Sequence, residues 1–142
     1  MNQAFQFVID NGIETEAQYP YKARDQKCQS KVGDFKIKHF VNVPQKSSGA
    51  LLNACTTQPV SVAIEADEIM DYKSGIFADT SCGTALDHGG LLVGYTDEYW
   101  KVKNSWSSDW GENGFIRFSR SAIPDKKGGI CGILLAASYP TM

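Results

Sequence analysis

Between residues 59 and 138 the chain is cut into short apolar or alternating runs separated by glycine-rich and polar turns. That is the pattern of an antiparallel sheet rather than of packed helices. Pro59-Val-Ser-Val-Ala-Ile64 reads as a strand opened by proline, which is tolerated at a strand's first position. Gly89–Tyr95 is largely apolar and reads as a central strand. Tyr99–Lys103 alternates and follows after a short turn, which predicts a hairpin. Gly114–Ser119 is a further strand, and Gly132–Ser138 is expected to be the last. Upstream, Phe35, Ile37, His39 and Val41 alternate with Lys36, Lys38 and Phe40, a half-buried strand that Pro44 closes. Two or three short helices are expected early in the chain. Residues Asn2–Asp10 place Ala4, Phe5, Val8 and Ile9 on one face, with Asn11-Gly12 as the stop. Ser47 or Ser48 caps a short helix running to Cys55. The stretch from Glu14 to Ser30, with Tyr19-Pro-Tyr21, reads as an ordered loop, and Lys126–Gly129 as another. The sum is an α+β chain with a twisted sheet or small barrel.

Size and charge narrow the function. At 142 residues and 42% hydrophobic the chain can bury a core of its own. Fourteen basic against sixteen acidic residues, with no basic cluster, offer nothing to a nucleic-acid partner. No window approaches 18 consecutive apolar residues, so no membrane span is expected. The first residues, MNQAFQFVIDNG, carry no basic start and no long apolar run, so no signal peptide is expected in this chain. Four cysteines, Cys28, Cys55, Cys82 and Cys131, allow three complete pairings, and spacing alone does not choose among them. They read either as one or two disulfides of an oxidising compartment or as buried thiols. There is no Cys-x-x-Cys, and His39 and His88 are far apart, so neither a metal site nor a cofactor is expected.

Three segments carry chemistry: Leu86-Asp-His-Gly-Gly90, Lys103-Asn-Ser-Trp106 and Trp110-Gly-Glu-Asn-Gly114. His88 opens one predicted strand and Asn104 follows the next. A hairpin of the two brings both side chains to one sheet end. An amide oxygen accepting from an imidazole N–H fixes the ring's tautomer and direction, and leaves the other ring nitrogen to receive a thiol proton. Trp106 is placed to cover that contact. The competing reading is a satisfied structural histidine, with Asn104-Ser-Trp106 a plain turn and the glycines of Trp110–Gly114 turn residues.

Taken together the segments resemble the C-terminal half of papain-like cysteine peptidases, the group of cathepsin L and plant papain. The likeness runs from Met1 to Met142. It rests on Met1-Asn-Gln-Ala-Phe5, Tyr19-Pro-Tyr21, Gln58-Pro-Val-Ser-Val62, Ser74-Gly-Ile-Phe77, Leu86-Asp-His88, Lys103-Asn-Ser-Trp106, Trp110-Gly-Glu-Asn-Gly114, Cys131-Gly132 and Ser138-Tyr-Pro140 in that order. The resemblance implies a papain-like fold. Residues 1–30 would be a remnant of the N-terminal helical domain with its connecting loop, and residues 31–142 the β-rich C-terminal domain. It also implies His88 as general base, or as the imidazolium of a thiolate pair, and Asn104 as its orienter. Trp106 would shield the contact, Trp110 would floor the leaving-group side, and Asp87 would tune the titration. Ala63, Leu86 and Ala136 would line an apolar pocket for the substrate's second residue before the cut. Cys82 and Cys131 match a family disulfide, Cys28 matches a cysteine bonded upstream, and Cys55 matches no bridge.

One family feature is missing. The nucleophile sits in an upstream Cys-Gly-x-Cys-Trp run, preceded by a glutamine that donates to the oxyanion, and neither is present here. Cys55 is a poor substitute because it falls late in its helix, whose negative end disfavours a thiolate. The chain alone is therefore expected to be inactive. Its expected partners are an N-terminal half carrying the cysteine, from the same gene or a second chain, and a peptide or protein substrate. The alternative is a catalytically inactive pseudoenzyme acting as a binding module. The family points to a lysosome, a vacuole or the extracellular space.

Overall fold

A computed structural model describes residues 1–29 and 32–142. The expected boundary at 30/31 lies outside the described residues. The chain forms two compact units, one of residues 1–41 with 140–142 and one of residues 42–139.

In the first unit, α1 spans Asn2–Asn11 and stops at Gly12, whose φ of 76° lies in the left-handed region. A side chain there would also place its Cβ 2.2 Å from the Gly33 carbonyl oxygen, so both space and backbone require glycine. Strand β1 is His39–Asn42, shorter than the alternation over 35–41 predicts. The Phe35 carbonyl accepts from Ile13 N–H (2.8 Å), which ties residue 35 to the segment after α1 instead of to the sheet. Phe35 and Val41 are exposed, while Ile37 is buried. Within β1 His39 and Val41 are exposed and Phe40 is half-buried, so of the face that alternation assigned to the core only Ile37 is inaccessible.

The second unit holds α2 (Ser48–Thr57), β2 (Val60–Ile64), β3 (Ile76–Phe77), β4 (His88–Tyr95), β5 (Tyr99–Lys103) and β6 (Phe115–Ser119). It also holds most of β7 (Ala137–Thr141), which runs across the division. The sheet order is β1-β7-β2-β4-β5-β6-β3. Ser47 caps α2, its Oγ accepting Ala50 N–H at 3.1 Å. The β4–β5 hairpin forms as expected, with a bulge between Leu92 and Gly94. The core is strand-built: Val60, Val62, Ile64, Leu92, Trp100, Val102, Ile116 and Phe118 are all essentially inaccessible, and Leu51 of α2 joins them.

Two further findings differ from the sequence reading. The last strand starts at Ala137, not Gly132, because Ile130–Gly132 forms a 3-10 turn. Gly128, Gly129, Cys131 and Gly132 all have positive φ, which coils the chain before it can extend. The two-residue β3, parallel to β6, was not expected, since so short a strand carries no periodic signal.

Candidate active site

The antiparallel register of β4 and β5 pairs Leu91 with Lys103. It therefore sets the start of β4, His88, near the residue that follows β5, Asn104. His88 Nε2 lies 2.8 Å from Asn104 Oδ1. The same Oδ1 accepts the Ser105 backbone N–H at 2.7 Å. A backbone N–H can only donate, so the amide atom facing it is the oxygen and not the NH2. An oxygen in turn requires Nε2 of His88 to carry the proton, which leaves the lone pair of the neutral ring on Nδ1. The Asn104 Nδ2 is buried and has no partner among the described residues.

Trp106 lies beside the ring, with centroids 5.0 Å apart at 39°. Trp110 meets Trp106 edge-on, 5.2 Å away at 84°. The Trp110 indole N–H donates to the Met70 carbonyl (3.0 Å), and its ring lies 5.5 Å from Tyr72. Both tryptophans are half-buried against the core cluster. Asp87 Oδ1 accepts Ala66 N–H at 3.0 Å, and its backbone N–H donates to Ile64 O at 3.1 Å.

Ala63 N–H donates to Ala136 O at 2.8 Å. Leu86 precedes the Asp87 that bonds to Ile64, and its Cδ2 stands 2.7 Å from where a Cβ on Gly132 would fall. Ala63, Leu86 and Ala136 are all partly accessible. Cys82 and Cys131 are joined by a disulfide with Cα atoms 4.9 Å apart. Cys131 also accepts Glu65 N–H (2.9 Å), so the crosslink anchors the segment leading to Leu86 and His88 to the end of β2. Cys28 is an exposed thiol and Cys55 a half-buried one. Burial pushes the Cys55 thiol up, which opposes a thiolate there.

Sequence reasoning singled out Trp110–Gly114, with a plain glycine turn as the competing reading, and gave Glu112 no role. Its carboxylate accepts from Arg117 twice, from Nε at 2.8 Å and from NH2 at 2.6 Å. It also accepts Gly75 N–H at 2.9 Å. Tyr72 Oη donates to Gly75 O (2.6 Å) and lies 3.4 Å from Arg117 N–H. An acid five residues before a base on a strand was the available signal. The Arg117 guanidinium first, then the Gly75 N–H, hold the Glu112 carboxyl down to about 2, against opposing burial. A depressed carboxyl stabilises the fold above its unfolded value of ~4.3 and loses that contribution as pH falls toward the folded value. Stability is therefore expected to fall between pH ~4 and pH ~2 more steeply in this chain than in Glu112→Gln, as urea unfolding across that range will show.

Among the described residues, no group of three or more His, Cys, Asp or Glu is placed to hold a metal ion. No helix of the described residues is long and apolar enough to cross a membrane.

Residues 1–141 match the family profile described as papain family cysteine protease. Over 151 residues the chain is 46% identical to vignain of Ricinus communis, covering 99% of this chain and 41% of that protein. It is 48% identical to the oryzain beta chain of Oryza sativa subsp. japonica, covering 99% of this chain and 32% of that protein. The fold is similar to bromelain from Ananas comosus, solved in complex with the E64 inhibitor, with a TM-score of 0.90 and 37% identity. That match covers 99% of this chain and 68% of the bromelain chain. The chain spans less than half the length of these curated relatives.

Proposed function

This chain belongs to the papain family of cysteine proteases, and from that premise we propose that it is the C-terminal portion of an endopeptidase cleaving peptide bonds by a Cys/His/Asn mechanism. The observation that carries the proposal is the His88–Asn104 contact with the Ser105 N–H behind it. With Nε2–H directed at Asn104, the neutral form of the ring carries its lone pair on Nδ1, the nitrogen proposed to take a thiol proton. The thiol proton passes to Nδ1 and the sulfur attacks the scissile carbonyl. The imidazolium then returns the proton to the leaving amine as the C–N bond breaks, and water hydrolyses the thioester with His88 again as base. Asn104 strengthens its bond as the ring becomes charged, and Trp106 excludes water from it. The nucleophilic cysteine and the oxyanion glutamine come from a preceding segment, the N-terminal half, which is the proposed partner.

Residues 1–30 then belong with that helical half and residues 31–142 form the sheet domain. Ala63, Leu86 and Ala136 receive an apolar side chain such as Leu, Phe or Val. The Cys82–Cys131 bridge and the family support a vacuolar, lysosomal or extracellular location.

The test joins this chain to a papain-type N-terminal segment containing Cys-Gly-x-Cys-Trp and measures hydrolysis of a peptide with Leu or Phe before the cleaved residue. Turnover is expected in the joined protein and only background in this chain alone, because each lost oxyanion donor typically costs ~10²–10³ in rate and the nucleophile costs more. A folded joined protein with no turnover overturns the proposal. In that protein Asn104→Ala is expected to lower kcat by roughly 10-fold or more with little change in KM, since the amide acts on the base and not on substrate. Steady-state kinetics on the pair separates the two parameters.

A further inference from the structure

The segment from Ser105 to Gly114 carries both tryptophans, yet it belongs to no strand or helix. Its place over His88 is therefore set by anchors. One is the Trp110 indole N–H on Met70 O. Another is steric: Gly111 sits at φ 55°, and a Cβ there would come within 2.7 Å of Phe115 O and 3.0 Å of Tyr72 Cδ1, so the turn lies flat on Tyr72. The third is Glu112, whose carboxylate joins Arg117 on β6 to Gly75 on the approach to β3. Tyr72, buried under Trp110, completes that connection through Gly75 O.

We propose that Glu112 is a positioning residue for His88, holding the Trp110–Trp106 pair against the imidazole through its bonds to Arg117 and Gly75. The role rests on the reading of His88 as base, and it acts at a distance. Contacts run from Glu112 to Tyr72 through Gly75, from Tyr72 to Trp110 (5.5 Å), from Trp110 to Trp106 (5.2 Å) and from Trp106 to His88 (5.0 Å). A paired carboxylate suits the task better than an amide. It takes a two-pronged guanidinium and a backbone N–H at once, which fixes direction as well as distance. Neutralising it leaves one oxygen and a mismatched NH2 facing Arg117, and the loop is then free to lift its indoles from the ring.

The experiment uses the full chain and needs no turnover. Diethyl pyrocarbonate labels accessible imidazoles, and the two histidines are resolved by peptide mass spectrometry. His39 is exposed and serves as internal reference. Well below the unfolding transition, Glu112→Gln is expected to raise the His88:His39 labelling ratio on the order of fivefold, as loss of a charge-assisted anchor increases local opening. Arg117→Gln should raise it similarly, and the double variant no further than either single one. Arg117→Lys, which keeps charge but not the fork, is read in the same way should Glu112→Gln fail to fold. A ratio unchanged in the folded variants, even with a lowered unfolding midpoint, overturns the proposal by showing a purely structural pair. The two readings fail separately. An unchanged ratio with an inactive His88→Ala joined enzyme rejects only the positioning role. A raised ratio with a fully active one rejects His88 as base.

Discussion

Peptide hydrolysis by the joined enzyme is expected to fall by about 10³-fold or more on His88→Ala, to a level indistinguishable from background in a routine assay. General-base catalysis alone is worth roughly 10²–10⁴. In the proposed mechanism the same ring takes the thiol proton before attack and returns it to the leaving amine, so its loss acts on more than one step. Alanine removes the Nδ1 lone pair and leaves Asn104 Oδ1 with only the Ser105 N–H. The fold should survive, because the site is partly accessible and Trp106 keeps its contact with Trp110. His39→Ala, an exposed position on β1, is the matched control and should leave kcat/KM unchanged. Retained activity in His88→Ala sinks the mechanism, while equal loss in both variants points to a folding defect instead.

The largest expected stability effect lies at the disulfide. Cys82 and Cys131 are 49 residues apart in sequence and essentially inaccessible. Releasing a loop of that length restores unfolded-chain entropy worth about 4 kcal/mol in the chain-entropy account. The Cys82→Ala/Cys131→Ala double variant should therefore move the urea midpoint down by roughly 2 M, given m-values of ~1–3 kcal/mol/M. That is a large part of the ~5–15 kcal/mol typical of a domain. The bridge also holds the segment that carries Leu86 and Asp87 to β2 through Glu65. A side-chain preference that shifts in the joined double variant under conditions where it remains folded would show the crosslink shaping the proposed substrate pocket as well. An unchanged midpoint would mean that the packing around residues 82 and 131 supplies the constraint by itself.

Much of this was legible in the residues. Strands β2, β4, β5 and β6 and both helices follow from local periodicity, proline and glycine placement and a serine cap, all of which act within a few residues. The errors fell where local rules meet a distant partner. Phe35 has strand-like alternation but spends its carbonyl on Ile13. Residues 132–136 look like strand but are coiled by four positive-φ positions around Cys131. Ile76–Phe77 becomes strand only because β6 lies alongside.

The candidate site divides in the same way. Sequence supplied its candidate chemistry: which side chains could act as base, orienter and shield, and that none of its own cysteines stood in the family's nucleophile pattern. Tertiary structure alone decided the geometry. Register between β4 and β5 brings His88 to Asn104 across a sequence separation of 16 and, with the Ser105 N–H, sets which ring nitrogen donates to the amide oxygen. Folding also brings Tyr72, Gly75 and Arg117 to one carboxylate that local reading took for part of a turn. The physical reason is range. Propensity and periodicity are properties of neighbours along the chain. Hydrogen-bond direction, tautomer and the cover over a ring exist only once remote backbone groups have been fixed against one another.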